Sequence, residues 1–163
     1  MPDVEAMKYG GVLPYTVVGG KVAVLLGKEL KVDGWSGSNL WAPFGGGIDP
    51  GESACNAALR EGYEETMGMF GTPAELKDKV DDTPWIHKGG LTYLLRIPYD
   101  RQLPTYFRNF YRYSRACKAQ TCPEGWYEKT KLKWVWLHKL SEQKLRPEFR
   151  ETLSSLQQRR WCM

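Results

Sequence analysis

The sequence predicts a single domain that mixes strands and helices, in the α+β or α/β class. Its 163 residues leave no room for two independent cores, so we expect residues 1–163 to form one domain. Runs with strand character are mixed with three helical stretches at most. A hydrophobic fraction of 42% and an aromatic fraction of 13% indicate a globular chain and not a disordered one.

The chain opens with a predicted β-hairpin. Tyr9–Val18 and residues 21–27 have strand character, and Gly19 and Gly20 lie between them. Two glycines suit a tight turn because glycine accepts a positive φ. A polar loop over residues 31–39 follows.

The next elements are a short strand and a helix. The strand covers residues 40–44 and ends at the glycines of residues 45–47. Ser53 is predicted to cap a helix that runs to about Met67, with Gly68 placed to end it.

The second half of the chain contributes two strand regions and two helices. Residues 83–98 contain strand material, and residues 131–137 alternate as a strand. Residues 103–118 have helical periodicity. Pro147 suits the first turn of a last helix that continues to about Arg160.

Composition excludes several classes of protein. No apolar run approaches about 18 residues, which argues against a membrane-spanning helix and a membrane partner. The polar, acidic residues 1–5 do not resemble a signal peptide. The four cysteines form no tight pair and only two histidines are present, which argues against a zinc site. We therefore expect a cytoplasmic protein with free thiols.

Charge is unevenly distributed along the chain. Residues 1–100 carry nine Lys/Arg against fourteen Asp/Glu, a balance of −5, whereas residues 101–163 carry fourteen against five, a balance of +9. The acidic part suits a metal ion and the basic part a polyanion, although ordinary solvated surface explains both equally simply.

Three carboxylates on the predicted helix are the most informative feature. Glu61, Glu64 and Glu65 stand at i, i+3 and i+4 and therefore share one helix face. Like charges this close repel, and a divalent cation such as Mg²⁺, which prefers oxygen ligands, relieves the repulsion. The alternative is a solvated acidic face in which Arg60 pairs with Glu64.

These carboxylates belong to a longer pattern, Gly46-x5-Glu52-x7-Arg60-Glu61-x2-Glu64-Glu65. A chance match of six specified positions is rarer than about 1 in 10⁵. The segment resembles the box of the Nudix hydrolase superfamily, whose members include the MutT-like proteins. The approach strand over residues 41–47 and the tryptophan-containing strand over residues 133–137 are similar to the family's flanking elements.

The resemblance implies a fold, a reaction and a set of ligands. The implied fold is an α+β, α-β-α sandwich around a mixed β-sheet, and the reaction is hydrolysis of a diphosphate bond with Mg²⁺ or Mn²⁺. Glu61, Glu64 and Glu65 become metal ligands, with the carbonyl of Gly45 as a further one, and Glu64 and Glu65 are catalytic.

The resemblance also implies a structural ion pair between Glu52 and Arg60 that holds the helix in place. Two departures stand out. Gly62 occupies an aliphatic position of the box and weakens a helix interior by about 1 kcal/mol relative to alanine. One extra residue precedes Gly68, so the helix end differs from the family pattern while the ligand positions are intact.

A loop before the late strand carries three further candidates. Trp126 and Tyr127 can stack a nucleobase, and Glu128 lies six residues before Trp134, where some MutT-like members place an extra metal ligand or general base. An ordinary surface glutamate is the competing interpretation of Glu128.

The helix over residues 103–118 has an apolar and a basic stripe. The apolar stripe, interpreted as core packing, consists of Leu103, Tyr106, Phe107, Phe110, Tyr111 and Cys117. In the basic stripe, Arg108, Arg112 and Arg115 follow at i, i+4 and i+7, so they form either a phosphate-binding surface or a solvated face.

We interpret the chain as a metal-dependent hydrolase of a nucleoside diphosphate linked to a second group. Three substrate classes stay open: nucleotide sugars or dinucleoside polyphosphates, the 5′ cap of messenger RNA, and diphosphoinositol polyphosphates. The alternative is a non-catalytic Nudix-like module that binds RNA or a nucleotide. The sequence leaves the oligomeric state open.

Overall fold

The structure is a computed structural model that describes residues 7–117 and 125–161. Its strands are β1 (Tyr9–Val18), β2 (Lys21–Glu29), β3 (Trp41–Ala42), β4 (Phe44–Gly47), β5 (Trp85–His87), β6 (Gly90–Arg96) and β7 (Lys129–Trp136). Its α-helices are α1 (Ala54–Glu65), α2 (Pro73–Lys79), α3 (Leu103–Ala116), α4 (Pro147–Arg150) and α5 (Leu153–Gln158), and a 3₁₀ helix covers Leu137–Glu142.

The strands form one mixed, seven-stranded sheet. Along its main path the order is β3-β2-β1-β6-β5, while β4 pairs with the first half of β1 and β7 pairs with β2. β1 and β6 run parallel, and the other pairs are antiparallel. The hairpin of β1 and β2 is confirmed, with Gly19 and Gly20 at φ 57° and 74°.

Helices cover both faces of this sheet. Neighbouring residues of a strand point to opposite faces, and they fall into different apolar clusters. Leu26 and Leu94 pack with Phe149 of α4 on one face. On the other face Leu25 packs with Phe107 of α3. The α+β class and the layered architecture around a mixed sheet are thereby confirmed.

Two predicted boundaries are wrong. Residues 40–44 do not form one strand, because Pro43 has no backbone N–H and separates β3 from β4. The glycines of residues 45–47 lie within β4 and do not merely follow a strand. Helix α1 ends at Glu65, two residues early, because Met67 adopts a left-handed φ of 52° before Gly68 at 71°.

The prediction of three helices at most is also wrong. Helix α2 was not predicted from the sequence, although Thr72 and Glu75 form a reciprocal capping box at its start. The predicted last helix is divided into α4 and α5. At the break the Thr152 hydroxyl donates to the Phe149 carbonyl at 2.8 Å, a local bond that competes with regular helix.

None of the helices in the described ranges is both long and apolar enough to span a membrane.

Candidate metal centre

Three carboxylates converge where α1 faces the start of β7. One oxygen each of Glu61, Glu65 and Glu128 lies within 4.8 Å of the others; we call these residues the carboxylate cluster. Glu61 and Glu65 are separated by one helical turn and are buried, at 9% and 2% exposure, whereas Glu128 is exposed. The cluster therefore has a buried floor and one side open to solvent.

Glycines allow α1 to approach the sheet this closely. A Cβ at Gly46 of β4 would lie 2.5 Å from Oε1 of Glu61, and a Cβ at Gly62 would lie 2.8 Å from Cγ2 of Val12. Distances under 3.0 Å require a shift of the neighbouring atoms. An aliphatic residue at position 62 would thus collide with β1, which explains the departure from the family pattern.

Arg60 ties the helix to the loop before it. Its Nε and Nη2 donate to the two oxygens of Glu52 at 3.0 Å each, and Nη2 also donates to the Gly47 carbonyl at 3.1 Å. Arg60 Nη1 donates to Glu61 Oε1 at 2.8 Å. The ion pair of Glu52 and Arg60 that the resemblance implies is therefore present, and Arg60 also contacts Glu61 of the carboxylate cluster. The Arg60 guanidinium lowers the pKa of Glu52, and burial raises the pKa of Glu61 against the opposing effect of Arg60.

Glu65 is held from the interior. Its Oε2 accepts the Gly45 N–H at 2.8 Å and lies 3.7 Å from Nζ of Lys129. The fully buried Lys129 also donates to Glu29 at 2.5 Å, and Arg146 Nη1 donates to the same Glu29 oxygen at 3.2 Å. Burial raises the pKa of Glu65 well above its usual value, and Lys129 opposes that rise.

Lys129 was not predicted as a residue of the site. A strand pattern places residues 129 and 131 on the same face, yet Lys131 is exposed and Lys129 is buried. The cause is a bulge: Glu29 is opposite Lys129 while Lys28 is opposite Lys131. An extra residue on one strand redirects the side chains on either side of it, and no motif in the sequence announces it.

Glu64 lies apart from the cluster. Its Oε2 is 3.4 Å from Arg60 Nη1, and a Cβ at Gly125 would lie 3.1 Å from the same oxygen. Burial raises the pKa of Glu64. The role of Glu64 as a metal ligand, and that of the Gly45 carbonyl, stay predictions; the Gly45 contact seen here is its N–H bond to Glu65.

The predicted base-stacking residues pack between helices. The ring of Trp126 lies 6.3 Å from Tyr63 of α1 and 6.1 Å from Phe110 of α3, measured between centroids. The ring of Tyr127 lies 5.7 Å from that of Tyr111. Indole Nε1 of Trp126 is buried without a hydrogen-bond partner among the described residues. Of the loop over residues 122–128, only residues 125–128 are described.

Helix α3 matches its predicted stripes only in part. Phe107 is buried as expected, but Tyr106, Phe110 and Cys117 are exposed, because the helix contacts mainly β7 and leaves that flank uncovered. All three arginines of the basic stripe are exposed, and the guanidinium of Arg115 in addition lies 5.6 Å and 5.7 Å from the ring centres of Tyr111 and Tyr127. The three arginines are therefore not equivalent.

A cavity of about 240 Å³ is connected to the cluster by a chain of polar contacts. Arg146 in its lining donates to Glu29, and Glu29 also accepts from Lys129, which lies 3.7 Å from Glu65. Trp85, Phe149 and Tyr9 line the cavity, together with Arg146 and eight other residues; we call it the aromatic pocket. The Tyr9 hydroxyl also lies close to Gly45, whose N–H donates to Glu65 of the cluster: a Cβ at Gly45 would lie 2.2 Å from the Tyr9 oxygen. Burial, and next the charge of Glu65, raise the pKa of Tyr9. The lining of the aromatic pocket comes from distant parts of the chain, so the pocket was not predicted from the sequence.

The donor set fits a hard divalent cation. Mg²⁺ takes oxygen ligands at about 2.0–2.1 Å, which separates opposite ligands by about 4.2 Å. The 4.8 Å spread of the cluster therefore requires only a small closure. Carboxylate oxygens are also the ligand type that Mg²⁺ and Mn²⁺ prefer.

Comparison with known proteins gives a family and a fold. Residues 11–156 match the family model described as NUDIX domain. The chain is similar to a C. elegans Ap4A hydrolase in a binary complex, with 21% identity, coverage of 92% of this chain and 94% of that chain, and a TM-score of 0.52. It is similar to the M. smegmatis Nudix hydrolase RenU, with 21% identity, coverage of 93% and 84%, and a TM-score of 0.55.

A further similarity is to the NUDIX domain of Shewanella oneidensis NrtR complexed with ADP ribose. That pair has 15% identity, coverage of 92% of this chain and 87% of that chain, and a TM-score of 0.51. A search of curated proteins found no match. At these identities the structural likeness shows the fold.

Proposed function

Because the chain belongs to the NUDIX domain family, we propose that it hydrolyses the diphosphate bond of a nucleoside diphosphate linked to a second group, with Mg²⁺ or Mn²⁺. The observation that carries this proposal is the carboxylate cluster, to which the aromatic pocket is connected through Arg146, Glu29 and Lys129. With a metal ion bound, the cluster would hold the phosphates, and the pocket suits a flat base.

Glu61, Glu65 and Glu128 would hold the ion. When bound, it neutralises charge on the phosphate oxygens and lowers the pKa of a coordinated water. Arg60 orients Glu61 through the 2.8 Å bond to its Oε1. The Gly45 N–H fixes one oxygen of Glu65 and leaves the second available to the cluster. Such outer contacts position ligands before the substrate arrives.

Glu64 and Glu128 are the two candidates for the general base. Glu64 lies outside the group of three carboxylates, so it is available to accept a proton from the attacking water. Burial raises its pKa, which moves a carboxylate toward the range where a base works best near neutral pH. Glu128 is the exposed member of the cluster and lies directly before β7.

The aromatic pocket favours nucleotides among the open substrate classes. Trp85 and Phe149, which are 4% and 6% exposed, line the pocket with their rings, and Tyr9 connects the pocket to the Gly45 side of the cluster. Two similar proteins are described with nucleoside polyphosphates or diphosphates, Ap4A and ADP ribose. We therefore favour nucleotide sugars or dinucleoside polyphosphates over diphosphoinositol polyphosphates, which have no base.

Capped RNA is distinguished by salt dependence. If Arg108, Arg112 and Arg115 contact three phosphates of an RNA chain, log KM rises with log salt with a slope of about 2, and removing one arginine lowers that slope by about 0.7. A small nucleotide gives a shallower slope that Arg112→Ala does not change. Measuring KM against ionic strength for both proteins, with uncapped RNA as competitor, separates the two substrates.

The test of the function is a turnover assay with ADP-ribose, diadenosine tetraphosphate and a GDP-sugar. We expect hydrolysis of at least one substrate that requires Mg²⁺ or Mn²⁺ and falls by about 10³-fold or more in Glu65→Gln. Turnover that persists in excess chelator contradicts the metal role. Nucleotide binding without turnover of any diphosphate favours the non-catalytic module.

A further inference from the structure

The walls of the aromatic pocket include buried aromatic rings. Trp85 and Phe149 lie edge to face, with ring centres 6.5 Å apart, and Tyr9 forms another part of the lining. Stacking on aromatic rings is tolerant of sequence because every base has a π face. Selection of one base must therefore come from the polar groups of the pocket.

Several of those polar groups already have partners. Indole Nε1 of Trp85 donates to the Ser155 hydroxyl at 3.2 Å, and His87 Nε2 lies 2.9 Å from the Thr92 hydroxyl. Thr152 donates to a backbone carbonyl. These groups therefore shape the pocket more than they recognise the polar edge of a base.

Arg146 is held by contacts on two sides. Glu29 accepts from its Nη1 at 3.2 Å, and its guanidinium lies 5.3 Å from the ring centre of Trp35. Within the described ranges its buried Nε has no hydrogen-bond partner. A guanidinium fixed in this way loses little conformational entropy when it binds a ligand, which favours affinity.

Glu148 supplies an acceptor beside this donor. Its Oε2 is 3.5 Å from Arg146 Nε, and its side chain is 67% exposed, so its oxygens are accessible from the pocket. The rim of the pocket thus has a guanidinium and a carboxylate next to each other, and the carboxylate can accept two hydrogen bonds.

This arrangement matches one base better than the others. Guanine presents the acceptor O6 next to two donors, N1–H and the 2-amino group. A guanidinium donates to O6, and a carboxylate accepts from both donors. Adenine carries the 6-amino donor in place of O6 and the acceptor N1 in place of N1–H, and it has no 2-amino group. In the same pose all three bonds are lost, with a donor against the guanidinium and an acceptor against the carboxylate.

We propose that Arg146 and Glu148 select guanine in the aromatic pocket. The inference deepens the proposed function, since it rests on the pocket holding the base of a nucleotide substrate. The hydrolase would then prefer guanosine diphosphates linked to a second group over their adenosine counterparts.

The test uses nucleotides that have no diphosphate bond. GMP, IMP and AMP are titrated into the protein and binding is followed by calorimetry. We expect GMP to bind about tenfold or more tightly than AMP, and IMP, which lacks the 2-amino group, to lie between them. Glu148→Gln should remove most of the preference for GMP over AMP, whereas Glu151→Gln, at an exposed position outside the pocket lining, should retain it.

Arg146→Lys is a second variant that keeps the charge near Glu29. It should weaken the binding of GMP more than the binding of AMP, because lysine lacks the planar guanidinium of arginine. Unfolding curves check that both variants fold. Equal affinity for GMP and AMP, or an unchanged preference in Glu148→Gln, overturns the inference. A preference for GMP with no diphosphate hydrolysed refutes the proposed function alone, and hydrolysis with no preference for guanine refutes the inference alone.

Discussion

Substituting alanine for Gly46 isolates the geometry of the carboxylate cluster. A Cβ at this position would lie 2.5 Å from Oε1 of Glu61, whereas ordinary contacts begin at 3.4 Å. The carboxylate must therefore retreat by about 0.9 Å, the difference between these two distances. The end of a glutamate side chain can move this far without a backbone shift, so the melting temperature should change little.

A displacement of this size has a large catalytic effect. Misplacing a reacting or coordinating group by about 1 Å can reduce the rate by about 10²-fold. We therefore expect Gly46→Ala to lower kcat by about 10²-fold and to raise the Mg²⁺ concentration needed for half-maximal activity. Steady-state kinetics over a Mg²⁺ series, together with thermal unfolding, measure both effects.

Gly47 provides the matched control. It is the next residue of β4, and a Cβ there would meet nothing within 4 Å. Gly47→Ala should therefore keep normal activity and normal Mg²⁺ dependence. If Gly46→Ala and Gly47→Ala behave alike, the position of Glu61 does not control the reaction and the geometric reasoning is refuted.

Two further predictions concern stability. Lys129→Met leaves the buried Glu29 and Glu65 without their shared cation, and we expect the free energy of unfolding in urea at pH 7 to fall by about 3–5 kcal/mol. Adding Glu29→Gln should restore part of this loss. An unchanged unfolding midpoint would show that the ion pair of Lys129 and Glu29 is not desolvated. Arg60 lowers the pKa of Glu52, so this contact stabilises the fold above the usual glutamate pKa of 4.5 and its effect is lost as the pH falls through the depressed value. The stability advantage over Glu52→Gln should accordingly shrink below about pH 4.5 in unfolding curves from pH 3 to 7, and an advantage independent of pH counts against the ion pair.

Local signals in the sequence predicted the local structure. The pair Gly19-Gly20 gave the hairpin turn because both residues need a positive φ. Ser53 gave the start of α1, where its hydroxyl accepts the Asn56 N–H at 3.1 Å. The capping box at Thr72 was equally local, so α2 could have been predicted from the same kind of evidence.

The parts of the site that depend on long-range packing could not be predicted in this way. Lys129 meets Glu29 across a separation of 100 residues, and it does so because of a bulge without a sequence motif. The aromatic pocket combines Tyr9, Trp85 and Phe149 from three distant segments. Spacing along one helix placed Glu61 and Glu65 together and also allowed the pair of Arg60 with Glu64, but it left open whether Glu64 joins the other carboxylates or turns toward Arg60.

Binding of Mn²⁺, followed by electron paramagnetic resonance, tests the carboxylate cluster most directly. The account predicts that the wild-type protein binds Mn²⁺ and that Mg²⁺ competes for the site. Glu61→Gln, Glu65→Gln and Glu128→Gln should each weaken binding, whereas Glu142→Gln, an exposed residue paired with Lys139, should not. Equal Mn²⁺ affinity in the wild type and in all three cluster variants would contradict the assignment of this cluster as the metal centre.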